Sequence, residues 1–177
     1  DDLRGMLRNL SVSLTMFSGQ MSTTPQNVYI PVSGIGVGEE QVSFDEVVAG
    51  LIDAISGLLA DDQRAGDILG CIKNRKDVAN RIENAVAAGE VLLDSRKITH
   101  PSFPAAEVRT PVVVKVSAAD RDSYMSEMFG PIVFVIATSG TEESLALARD
   151  SAISRGASSW LVYTGDDQMK DAAIAAA

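Results

Sequence analysis

At 177 residues the chain can bury one sizeable core, so a single domain is expected. Hydrophobic residues make up 46% and aromatics only 5%, a balance that suits helices packed on a largely buried sheet and excludes collagenous, disordered and disulfide-built classes. The formal net charge of −9 disfavours nucleic acid or an anionic membrane as partner, and the single cysteine, Cys71, excludes an intrachain disulfide and a cysteine-cluster metal site.

In chain order, Asp1 or Asp2 can cap a first helix carrying Leu3, Met6, Leu7, Leu10, Leu14 and Phe17, which Gly19 ends. Asn27 to Ile30 is β-rich and stops at Pro31, and the glycines at 34, 36 and 38 suggest a flexible connector. Ser43 and Glu46 form a capping box that opens a helix with Val47, Val48, Leu51, Ile52, Ile55 and Leu58 on one face. A further helix is predicted from about Lys76 to Ala88 with Gly89 as its C-cap, then a strand at Val91 to Leu93. Pro101 and Pro104 make residues 94–108 irregular, whereas Pro111 to Val116 and Ile132 to Ile136 have the unbroken apolar character of buried strands. Thr141 starts a helix to about Arg155, Trp160 to Tyr163 reads as a strand, and a last helix begins near Asp166 or Asp167. Strands separated by helices predict an α/β fold, a three-layer α/β/α arrangement on a mainly parallel sheet. No run approaches the roughly 18 apolar residues of a membrane helix, and the acidic start is unlike a signal peptide, so a cytoplasmic location is expected.

Four stretches carry a resemblance to one family. Asp1-Asp2-Leu3 opens the first helix, Gly19-Gln20-Met21-Ser22 closes it, Glu127-Met128-Phe129-Gly130-Pro131 precedes a strand, and Thr141 to Thr164 runs helix, turn and strand. Together they resemble the catalytic domain of aldehyde dehydrogenases over nearly the whole chain. Thr23-Thr24-Pro25-Gln26-Asn27 is similar more narrowly to the PaaN-like proteins of phenylacetic acid degradation. The resemblance implies an NAD- or NADP-dependent oxidoreductase in which a nucleophile adds to an aldehyde, hydride passes to the cofactor, and the thiohemiacetal-derived acyl group leaves as acid or thioester. It places Ser22 at the nucleophile position, where the family has cysteine, and Glu127 and Phe129 at the nicotinamide ribose and ring. For the PaaN-like branch, the aldehyde would be a ring-cleavage semialdehyde or its CoA derivative. The family's cofactor-binding domain, with its pyrophosphate site, general-base glutamate and oxyanion asparagine, and its terminal oligomerisation strand are not found in residues 1–177. The chain is therefore expected to be a single catalytic-domain fragment whose parent is a homo-oligomer.

The chemistry at position 22 turns on one atom. A cysteine is partly thiolate near neutrality, whereas a serine hydroxyl must lose its proton to a positioned base as it attacks. The one histidine, His100, lies in a proline-flanked stretch without a triad pattern and reads as a loop or surface residue. Ser22 is thus expected to leave the chain inactive, and the alternative is a non-catalytic binding or assembly domain that keeps the fold. Cys71, in Leu-Gly-Cys-Ile, reads as a small buried residue. Gly34-x-Gly36-x-Gly38 departs from a phosphate-binding fingerprint, the acidic pairs Asp61-Asp62 and Asp166-Asp167 fit turns or caps, and no histidine spacing suggests a metal.

Overall fold

The computed structural model describes residues 2–176; the expected cap at Asp1 lies outside them. The elements in order are α1 (Asp2–Thr15), a short 3-10 turn (Met16–Gly19), β1 (Asn27–Pro31), β2 (Ile35–Val37), β3 (Glu40–Val42), α2 (Phe44–Leu58), α3 (Asp62–Leu69) and α4 (Arg75–Ala88). There follow β4 (Glu90–Leu93), β5 (Lys97–Ile98), β6 (Val108–Arg109), β7 (Val112–Ser117), α5 (Arg121–Tyr124), β8 (Ile132–Thr138), α6 (Thr141–Arg155) and α7 (Asp167–Ala176).

The central sheet has the order β1-β8-β7-β4, with β1, β8 and β7 mutually parallel and β4 antiparallel at one edge. Successive side chains of a strand point to opposite faces, so an unbroken apolar run fills two cores at once. Val113, Val133 and Val135 join Leu14, Val47, Leu51 and Ile55 on the face covered by α1 and α2. Val114, Val116, Phe134 and Ile136 join Val78, Ile82 and Leu147 on the face covered by α4 and α6. Those two packed faces are the three layers expected of the sequence.

Ser43 caps α2 as predicted: its hydroxyl accepts from the Glu46 amide, and the Glu46 carboxylate accepts from the Ser43 amide at 2.9 Å. The Ser43 hydroxyl also donates to the Glu46 carboxylate at 2.6 Å, and this bond foremost, with the one from the Ser43 amide, holds the Glu46 carboxyl below its ordinary range. Asp61 takes a cap position, as expected, at the start of α3, a helix absent from the sequence reading. Three expectations are corrected. Residues 35–42 form a hairpin rather than a flexible connector, with Gly38 turning it at φ 62°. The stretch 94–108 holds the short antiparallel pair β5–β6. Trp160 to Tyr163 is not a strand: it pairs with no neighbour, and Leu161, Val162 and Tyr163 are exposed.

Candidate functional site

The helix that leads to Ser22 stops earlier than its apolar periodicity suggests. α1 ends at Thr15, whose buried hydroxyl donates to the Ser11 carbonyl at 2.8 Å, and Phe17, Ser18 and Gly19 then adopt left-handed conformations at φ 53°, 54° and 66°. A left-handed non-glycine residue costs about 1–2 kcal/mol, so this turn needs support from elsewhere in the fold. Support comes from the segment after α3. The buried Ser18 hydroxyl donates to the Leu69 carbonyl at 3.0 Å. The Gln20 amide donates to the carbonyls of Phe17 and Cys71 and accepts from the Lys73 amide at 2.9 Å. Gly19 meets the main chain of the Glu127–Pro131 stretch so closely that a Cβ there would lie 2.1 Å from the Gly130 carbonyl oxygen.

Ser22 lies exposed in the following turn, which the Thr24 amide closes onto the Met21 carbonyl at 3.0 Å. Its own carbonyl accepts from the Ser158 hydroxyl at 2.6 Å. No carboxylate or imidazole hydrogen-bonds to the Ser22 hydroxyl among the described residues. His100 is engaged elsewhere: Nδ1 accepts from the Ser102 amide, Nε2 lies 3.9 Å from Asp67, and the side chain is only 11% exposed. It is a loop residue, as expected, but it is not on the surface.

Glu127 and Phe129 are held through their backbone while their side chains stay exposed. The Gln26 amide, four residues past Ser22, donates to the carbonyls of Tyr124 and Ser126 and accepts from the Met128 amide at 2.6 Å. Arg81 donates to the Phe129 carbonyl at 2.7 Å. Asn27 adds a bond to the Tyr124 carbonyl and another to the Tyr29 hydroxyl. Burial pushes the Tyr29 phenol up to about 12 and raises that of Tyr124, so neither offers a base near neutrality. The donor set suits a nicotinamide ribose: a carboxylate accepts from two hydroxyls, and an uncovered ring can pack by a flat heterocycle. Among the described residues no group of His, Cys, Asp and Glu could hold a metal.

The structure therefore joins the stretch holding Ser22 to the stretch holding Glu127 and Phe129 through Gln26 and through the Gly19–Gly130 contact. It engages His100 elsewhere, with Ser102 and Asp67, and ties Cys71 to the Ser22 stretch only through its carbonyl, which accepts from Gln20. Cys71 is exposed rather than buried, at the rim of an open cavity of about 770 Å³ lined by Gly66, Gly70, His100, Phe103 and Ala106. Sequence reasoning missed the roles of Gln20, Gln26 and Ser158. All three lay inside stretches already singled out, but none carried a signal of its own.

A profile of the aldehyde dehydrogenase family matches residues 1–173. The crystal structure of an NAD-dependent aldehyde dehydrogenase from Burkholderia multivorans is 45% identical and superposes with a TM-score of 0.95, over 99% of this chain and 31% of that one. An indole-3-acetaldehyde dehydrogenase in complex with NAD+ shares the fold at 15% identity and a TM-score of 0.73, over 99% of this chain and 34% of that one. Among curated proteins, the NADP(+) succinate-semialdehyde dehydrogenase 1 of Mycobacterium tuberculosis is 24% identical over 122 residues, 66% of this chain and 26% of that protein. The chain thus spans about a third or less of the length of these relatives. No helix among the described residues is long and apolar enough to cross a membrane. With a fold shared along its length and a family profile covering all but its last residues, this chain belongs to the aldehyde dehydrogenase family.

Proposed function

We propose that this chain is the catalytic domain of an NAD(P)-dependent aldehyde dehydrogenase, with position 22 as the nucleophile site and Glu127 and Phe129 as the holders of the nicotinamide ribose. The observation that carries this reading is the double joint between the two stretches: Gln26 binds the backbone around Glu127, and Gly19 rests on Gly130. Such a joint supports a constant spacing between attacking atom and hydride acceptor, where a misplacement of about 1 Å can cost about 10²-fold in rate. The bound cofactor would accept hydride. The protein's part is to present the nucleophile, hold the ribose through Glu127, and position the ring through Phe129.

Ser22 makes this chain inactive as it stands. Its hydroxyl is exposed and has no base partner among the described residues, so nothing generates an alkoxide. The pyrophosphate site and general base come from a dinucleotide-binding region outside residues 1–177. The substrate we assign is a ring-cleavage semialdehyde of phenylacetate degradation, free or as a CoA derivative. The parent acts as a homo-oligomer in the cytoplasm.

The test measures NAD(P)H formation from aldehydes by this chain, by its Ser22→Cys form, and by a longer protein carrying both the dinucleotide-binding half and Cys at this position. Activity is expected in the last alone. Turnover by residues 1–177 by themselves would overturn the domain reading. The exposed, base-free Ser22 also favours a second reading, a non-catalytic binding or assembly domain, which an inactive longer protein with Cys at position 22 would support.

A further inference from the structure

We infer that Ser158 is a positioning residue for residue 22, an inference that rests on the reading of position 22 as the nucleophile site. The Ser158 hydroxyl donates to the Ser22 carbonyl at 2.6 Å across a sequence separation of 136, and it is the one hydrogen bond to that carbonyl among the described residues. A peptide unit is planar, so a residue is oriented by two soft torsions. Fixing the carbonyl of residue 22 fixes the plane between residues 22 and 23, and with it one of the two torsions that decide where the side chain of residue 22 points. The turn's other backbone bond, Thr24 to Met21, spans Ser22 without touching it.

Ser158 reaches this position because α6 ends on Gly156, which is left-handed at φ 72° and swings the chain back toward the turn. Beyond it, the Tyr163 hydroxyl accepts from Asn9 of α1 at 2.8 Å, so the stretch from 158 to 163 is anchored at both ends. The segment without strand pairing is the one that supplies the orienting hydroxyl.

The test uses iodoacetamide on Ser22→Cys chains that also carry Ser158, Ser158→Ala or Ser158→Thr, with labelling at positions 22 and 71 quantified separately by peptide mass spectrometry. Losing the tether frees the backbone of residue 22 and spreads the introduced thiol over more orientations. Labelling at position 22 is expected to slow about threefold with Ala and to return with Thr, while Cys71 labels at one rate in all three. Equal rates at position 22 with Ser and Ala, or slowing that Thr fails to restore, would overturn the tether. If position 22 with Ser158 intact labels no faster than Cys71, the nucleophile reading itself fails, while slowing by Ala alone and rescue by Thr would still support Ser158 as an orienting contact.

Discussion

Ile132–Ile136 and Trp160–Tyr163 have the same strand-like composition, yet one is buried throughout and the other makes no strand pairing among the described residues and is largely exposed. β8 has a parallel partner on each side, β1 and β7, and a helical layer over each face. The 160–163 stretch makes no strand pairing among the described residues, and the links it and the residues just before it make include single side-chain bonds at Tyr163 and Ser158. Propensity is common to both, whereas partners belong to one. β preference therefore measures fit to a half-built surface more than an intrinsic backbone choice. The candidate site sits between the two regions, joined firmly to the entrance of β8 and lightly to the unpaired stretch.

The contrast breaks most visibly at its extremes. Phe134→Ala, at a fully buried position in the central strand, is expected to destabilise the chain by about 3–5 kcal/mol in urea unfolding, whereas Val162→Ala should stay within about 0.5 kcal/mol. A comparable loss for both would mean that the 160–163 stretch is packed in solution. Gly19→Ala comes next. Its Cβ meets the Gly130 carbonyl at 2.1 Å and its φ is 66°, so strain and overpacking together should cost about 2–4 kcal/mol. The same unfolding measurement should show no loss, and a gain of about 0.5–1 kcal/mol, for Gly57→Ala, a position within α2 where an added Cβ meets nothing.

A smaller effect is expected from Gln26→Ala, which removes the bonds to Tyr124, Ser126 and Met128 and should cost about 1–2 kcal/mol. Hydrogen exchange should then speed up at the Met128 amide and leave the β8 amides unchanged. The smallest effect is a matter of pH. Hydrogen bonds from Ser139, the backbone one foremost, hold the Glu143 carboxyl below its ordinary 4.5 at the start of α6. Because the folded value is the lower one, its contribution is complete above about pH 4.5 and is lost as pH falls through the folded value. Protection of the Ser139 amide should decline over that acid range, while Phe134 to Ile136 keep theirs; a parallel decline in both would indicate global unfolding.

The buried strands were legible because a strand covered on both faces writes its burial into an unbroken apolar run, as Val112–Val116 and Ile132–Ile136 do. The α2 capping box was legible because both partners lie three residues apart. What escaped depended on distant chain. Nothing near Trp160 says that no strand will lie beside it. The bonds of Gln26 and Ser158 span 98 to 136 residues, beyond any local spacing. Even the end of α1 was misplaced, because the residues that break it, Phe17 and Ser18, are ordinary in composition and are turned by contacts with Leu69 and Gln20. The motif around Ser22 pointed to the right place in the chain without revealing which atoms hold it.

Phe17, Ser18 and Gly19 amount to most of one turn of a helix wound with the opposite hand to α1, which runs straight into it. An isolated chain has no reason to reverse its winding there, and a peptide of residues 2–26 should carry its right-handed coil past Thr15. The reversal exists only once the carbonyls of Leu69 and Cys71 are in place to receive Ser18 and Gln20. The turn thus depends on α3 and the segment just after it, some fifty residues downstream, and a peptide lacking them should lack the turn as well.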